Sequence, residues 1–145
     1  MARTPFPVEV LTPEGQVFEG EVEMLSTRTE VGEIGVLANH TPLLAMLQPA
    51  DLRLHISENE IKHYAQGEGY LQVHGNHALV LVEDCHDPSE IDRAAQEERL
   101  RRAEEVLSDA KTPADLASAR FEQARRDKRR AETFLRIASG GAGQE

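Results

Sequence analysis

Six histidines (His40, His55, His63, His74, His77 and His86) and a single cysteine, Cys85, are the side chains in this sequence best suited to metal binding or nucleophilic chemistry. Imidazole is the commonest metal ligand and titrates near neutrality. Their spacing is scattered, however. His74 and His77 flank the turn dipeptide Gly75-Asn76, and His86 sits beside Cys85 among Glu83, Asp84 and Asp87. Each group reads as a turn or a solvated strand end. One cysteine makes no internal disulfide and offers no zinc spacing. Cys85 and His86 are chain neighbours, whose side chains on a strand point to opposite faces, so they do not form a nucleophile with its base. No catalytic residue and no metal ligand is predicted.

Two constellations invite an anion-binding reading. Gly32, Gly35, Asn39 and His40 suggest a nucleotide loop, but the G-x-x-x-x-G-K-[ST] spacing that cradles phosphates is absent from the chain. The glycines are then expected to serve tight turns and close strand approach. Five cations, Arg125, Arg126, Lys128, Arg129 and Arg130, fall within six positions. Such a run is either a solvated helix face or a surface for an acidic partner.

Charge divides the chain. Residues 1–87 hold four Lys or Arg (Arg3, Arg28, Arg53, Lys62) against fourteen Asp or Glu, whereas residues 88–145 hold twelve of each. The net charge of -10 argues against general electrostatic binding of nucleic acid. No apolar run approaches the roughly 20 residues of a membrane span, and Met1-Ala2-Arg3-Thr4-Pro5 has no apolar signal-peptide core behind it. The protein is expected to lie in, or face, the cytosol.

The elements that must position these residues are of two kinds. From Val8 to Val82 short alternating runs recur: Val8-Glu9-Val10, Val17-Phe18, Val22 to Met24, Leu52 to Ile56, Ile61 to Tyr64, Tyr70 to Val73 and Ala78 to Val82. Turns such as Pro13-Glu14-Gly15, Ser57 to Glu60 and Gly75-Asn76 divide them. Roughly eight to ten strands in about 80 residues, with no helical period between them, predict an antiparallel β-sandwich or barrel. A parallel α/β sheet is excluded. At Asp87-Pro88-Ser89-Glu90 a capping box predicts a helix start, with an apolar stripe of Ile91, Ala94, Ala95, Leu100, Ala103, Val106, Leu107 and Ala110 interrupted by Gln96 to Arg99. Thr112-Pro113-Ala114-Asp115 repeats that start. The second stripe is Ala117, Phe121, Ala124, Ala131, Leu135 and Ala138, and Gly140-Gly141 is the stop.

The expected fold is therefore α+β: a β-sandwich domain over residues 1–87 and a two-helix hairpin over residues 88–145. Alanine dominates both helical stripes and buries little area, so helix propensity is high while docking is marginal. Two rival functions fit this architecture. One is a free-standing sandwich module for peptide or carbohydrate, although no Trp, two Tyr and four Phe leave little material for an aromatic cleft. The other is a small enzyme using paired carboxylates from the acidic half.

The segment Val8 to Leu44, VEVLTPEGQVFEGEVEMLSTRTEVGEIGVLANHTPLL, resembles the amino-terminal domain of the epsilon subunit family of rotary F-type ATP synthases. The run Gly32 to Leu44 is its most specific part. The likeness continues through Ala65 to Val73, through Val80 to Asp84 and through both helices, leaving out the first few residues and the tail after Ile137.

The resemblance implies a ten-stranded sandwich at the foot of the rotating central stalk, bound to the gamma subunit and resting on the c-subunit ring. The protein would couple rotation to ATP synthesis without being an enzyme itself. Its membrane association would come only through the complex, at the cytoplasmic face. Glu33, Asn39 and His40 fall in the loop region that the family uses against the c-ring. The hairpin regulates: extended towards the alpha/beta head it opposes ATP hydrolysis, and the cluster Arg125 to Arg130 falls where the family meets the beta subunits. Some members bind a regulatory ATP through Ile or Leu, Asp, two variable residues, Arg and Ala. Here Ile91 and Asp92 match, but Ala95 stands at the arginine position and Gln96 at the alanine position. No cofactor is therefore expected.

Overall fold

The structure is a computed structural model that describes residues 3–141; the remaining residues of the two predicted domains, 1–2 and 142–145, lie outside the described residues. The chain falls into two compact units, Met1–Pro88 and Ser89–Glu145.

The first unit is built of ten strands: β1 (Phe6–Thr12), β2 (Gly15–Val22), β3 (Met24–Thr29), β4 (Gly32–Val36), β5 (Leu43–Leu47), β6 (Ala50–Ser57), β7 (Glu60–Gln66), β8 (Gly69–His74), β9 (His77–Val82) and β10 (Cys85–His86). They hydrogen-bond in the order β10-β7-β6-β3-β5-β8-β9-β1-β2, with β4 joined to β3. Period-two alternation decides which face closes. Phe6, Val8 and Val10 of β1, Leu52 and Leu54 of β6, Leu71 and Val73 of β8 and Val80 and Val82 of β9 all enter one core. Strands from opposite ends of the order meet, since Lys62 Nζ of β7 stands 5.4 Å from the ring centroid of Phe18 on β2. The result is the expected ten-stranded sandwich. Its pairing is antiparallel with one exception: β1 runs parallel to β9, Val8 opposite Ala78 and Leu11 opposite Leu81. The chain reaches that parallel partner by way of seven intervening strands, so no crossover helix is needed.

A close approach explains one glycine. A Cβ on Gly69 would meet the Leu81 carbonyl oxygen at 1.9 Å, so only glycine lets β8 start against Val82.

The second unit holds α1 (Arg93–Ser108), the one-turn α2 (Pro113–Leu116) and α3 (Ala119–Arg136), with α1 packed on α3. Both predicted helix starts shift. Pro88–Glu90 forms only a 3₁₀ turn, and α1 is capped by Asp92, whose Oδ1 accepts from the Ala95 N–H at 3.1 Å. The Thr112–Asp115 capping box is real but serves α2 alone; Ser118 then caps α3 by accepting from the Phe121 N–H.

The stripes shift with the starts. Ala94 and Ala95 are exposed, while Gln96 is buried together with Ala103. On α3, Phe121, Ala124, Ala131 and Phe134 are buried, whereas Ala117 is exposed and Leu135 only half-buried. Ile137 is buried just beyond. Two phenylalanines and an isoleucine thus add roughly 1.5–3 kcal/mol each to a face predicted to be mostly alanine. The turn Ile137–Gly141 ends the helix, with Gly140 in the left-handed region at φ 81°. Among the described residues no helix is long and apolar enough to cross a membrane.

Candidate functional site

The outward face of β5, β8, β9 and β1 carries a row of apolar side chains in direct register. Met46 lies opposite Tyr70, Tyr70 opposite Leu81, and Leu81 opposite Leu11. Met46 and Tyr70 are each 48% exposed and Leu81 is 41% exposed. The adjacent row runs Leu44, Gln72, Leu79 and Glu9, with Leu44 at 71% exposure. Single exposed apolar residues are ordinary, but here they form a contiguous row across four strands. The alternating strands contain these residues in plain view. What the sequence hides is the order β5-β8-β9-β1, which sets the β8–β9 hairpin between two strands distant from it in the chain.

Glu33 sits on a strand, whereas Asn39 and His40 sit in the connection between β4 and β5. Glu33 on β4 accepts from Arg53 Nη2 of β6 at 2.8 Å. Asn39 lies in the β4–β5 connection at φ 61°, and its N–H donates to Asn76 Oδ1 of the β8–β9 turn at 2.7 Å. His40 closes a turn through its N–H to the Leu37 carbonyl, and its Nδ1 donates to the Thr41 carbonyl at 2.7 Å. Strand β5 separates the two groups: its Leu47 end meets Thr29 beside the β3–β4 turn, and its Leu43 end meets Val73 beside the β8–β9 turn. At that β3–β4 turn Val31 is 93% exposed, while Thr29 Oγ1 accepts from the Val31 N–H and donates to the Gly32 carbonyl.

The histidines do not converge. His63 faces Asp51 at 3.3 Å, His77 faces Glu9 at 3.5 Å, His86 faces Asp84 at 2.8 Å and His55 faces Ser26 at 3.4 Å. Among the described residues no three of His, Cys, Asp and Glu form a group able to hold a metal. Cys85 packs against the core, and burial pushes its thiol up to about 12. A thiol held neutral in this way is no nucleophile.

In the helical unit four of the five cations have divided duties, and the fifth, Arg129, is exposed. Arg125 Nη2 donates to the Leu116 carbonyl at 2.8 Å, and the Arg130 guanidinium lies 4.6 Å from the Phe134 ring centroid. Arg126 Nη2 donates to Gln123 Oε1 at 2.6 Å, and Lys128 pairs with Glu132 at 3.8 Å. Near the partial ATP motif, Ile91 is half-buried and Asp92 is occupied as the helix cap. A groove of about 410 Å³ between α1 and α3 is lined in part by Arg99, Arg102 and Arg120. Arg102 is drawn to Glu98, which also accepts from Arg101; these bonds, that from Arg101 foremost, hold the Glu98 carboxyl down to about 2.

Residues 5–88 match the family described as ATP synthase, Delta/Epsilon chain, beta-sandwich domain. The ATP synthase epsilon chain of Persephonella marina is 42% identical over 133 residues, spanning 92% of this chain and 96% of that one. This chain belongs to the ATP synthase epsilon-chain family. A second epsilon chain, from Clostridium novyi, is 37% identical over 89% of this chain and 97% of its own length. The epsilon-chain fold extends to distant structures. A chain of the Euglena gracilis mitochondrial ATP synthase, solved as OSCP/F1/c-ring, superposes with a TM-score of 0.73 at 19% identity, over 89% of this chain and 78% of that one. A chain of the Tetrahymena thermophila central stalk/c-ring structure gives 0.59 at 15% identity, over 96% of this chain and 97% of that one.

Proposed function

We propose that this chain is a non-catalytic central-stalk subunit of a proton-translocating F-type ATP synthase, coupling rotation to ATP synthesis at the cytoplasmic face of the membrane. The sandwich binds the gamma subunit and the c-ring. The hairpin restrains ATP hydrolysis through the alpha/beta head, and no bound nucleotide is required. The observation that carries this reading is the row of exposed Met46, Tyr70 and Leu81, continued by half-buried Leu11, on a sheet whose other face is already closed over its own core. A face of that kind is stable in water only at a cost that a docked partner removes. Family membership supplies the class of partner.

The test is reconstitution of the full chain with gamma and the c-ring, comparing wild type with the double variant Met46→Glu/Tyr70→Glu. Both side chains point away from the core, so thermal unfolding is expected to change little, while binding weakens at least about 30-fold, as for the loss of an interface hot spot. Equal binding by the two forms overturns the assignment of this face. Residues 1–87 alone are expected to join the complex and to leave hydrolysis unrestrained. A truncated form that folds but does not assemble would overturn the division of labour.

A further inference from the structure

Asn76 occupies the second position of the β8–β9 turn, where Gly75 at φ 58° and Asn76 at φ 61° give the left-handed pair of a tight hairpin. Either glycine or asparagine satisfies such a turn. The asparagine does something glycine cannot. Its Oδ1 accepts the Asn39 N–H at 2.7 Å, across 37 positions of sequence. Asn39 is itself left-handed at φ 61°, a region that most side chains avoid and asparagine tolerates. The connection 37–42 is thereby tied from within the turn that the His40 N–H closes on the Leu37 carbonyl, ahead of the start of β5. Its flanks carry exposed apolar side chains, Leu37 at 45% and Leu44 at 71%. Beside it Pro42, Leu43 and Leu44 line a groove of about 410 Å³ with Gln72, Val73 and His74.

We propose that Asn76 is a positioning residue for partner recognition: by accepting the Asn39 N–H it fixes the 37–42 connection in the shape that presents Leu37, His40 and Leu44 to the stalk. The inference rests on the stalk reading above, because the same sheet face continues into this connection through Leu44 and Met46 of β5. A loop ordered before docking has less conformational freedom to lose on binding. Asn76 touches no partner in this account; it acts through the Asn39 backbone.

Three full-length proteins separate the roles of turn and clamp. Asn76→Gly keeps the left-handed turn and removes the acceptor, whereas Asn76→Asp keeps both. Affinity for a reconstituted gamma and c-ring complex is expected to fall about tenfold in Asn76→Gly and to return to within about twofold of wild type in Asn76→Asp. Hydrogen exchange of the Asn39 amide, followed by NMR on the free chain, is expected to quicken in Asn76→Gly and not in Asn76→Asp. If wild type itself fails to bind, the stalk reading falls and takes this inference with it. If wild type and Asn76→Gly bind equally, only the role of Asn76 is overturned. Equal losses in Asn76→Gly and Asn76→Asp also overturn it, since the acceptor would then not be what matters.

Discussion

Arg125 donates from Nη2 to the backbone carbonyl of Leu116 at 2.8 Å, so a cation from the first turns of α3 reaches back to the last residue of α2. Carbonyls at the end of a helix lack intrahelical partners and carry the negative end of its dipole, so a guanidinium is well matched to that position. One member of the basic cluster is thus a fastener of the helix connection. Arg125→Ala is expected to lower the unfolding free energy of the helical unit by about 0.5–1.5 kcal/mol, with Arg125→Lys between it and wild type. Thermal melts followed by helical circular dichroism check this. Coincident melts for wild type and Arg125→Ala would sink the fastener role.

The same division sharpens the expectation for the proposed brake on hydrolysis. Arg125 and Arg130 face their own unit, through Leu116 and the Phe134 ring, whereas Arg126 and Lys128 are engaged along the helix surface. Replacing Arg126, Lys128 and Arg129 by Ala is expected to relieve the brake by about 1 kcal/mol in total, near a fivefold change in the restrained population, without loss of assembly. Raising salt should weaken the wild-type brake as well, because exposed pairs are screened over about 10 Å at 0.1 M. Hydrolysis rates of the assembled enzyme that coincide for the two forms at low salt would return the cluster to a solvated helix face.

Cys85 should be inert while the sandwich is folded. With its thiol pushed from the usual 9.0 to about 12 by burial and by the nearby Asp84 charge, only about one molecule in ten thousand is thiolate at pH 8. Alkylation by iodoacetamide at pH 8 is expected to accelerate about a thousandfold when the chain is unfolded in denaturant. The sign for stability follows from the raised value. The folded state holds its proton longer than the unfolded one, so this group favours the unfolded chain as pH climbs from 9.0 towards about 12, and is silent below. Equal alkylation rates in native and unfolded protein would contradict the burial.

For the partial nucleotide motif the expected result is weak binding. Asp92 already accepts the Ala95 N–H as the cap of α1, and Ala95 is exposed with no guanidinium to meet a phosphate. Titration calorimetry of ATP into the isolated chain is expected to show no dissociation constant tighter than about 100 μM, given the 1.5–3 kcal/mol lost with a charge-assisted bond. A low-micromolar value that disappears in Arg99→Ala/Arg102→Ala would instead place ATP in the groove between α1 and α3. Asp92→Ala should separately cost the helix about 1 kcal/mol as the loss of a cap.

Local chemistry was readable from the sequence wherever it depended on neighbours. The alternation of Val8 and Val10 or of Leu52 and Leu54, the Gly75-Asn76 turn and the Gly140 stop each follow from side-chain period or backbone freedom over a few residues, and the Gly32 to Leu44 run was enough to expose the family. Helix boundaries were less legible, because Asp87, Asp92, Thr112 and Ser118 are all competent caps, and packing chose Asp92 and Ser118 for the long helices. That choice sets the rotational phase of each helix, which is why Gln96 went inward in place of Ala94 and Ala95, and Phe134 in place of Leu135. What no local rule contains is the strand order. Only the tertiary structure set Met46, Tyr70, Leu81 and Leu11 in one row and brought Asn76 to Asn39, because pairing between segments dozens of residues apart is decided by which arrangement buries the shared core.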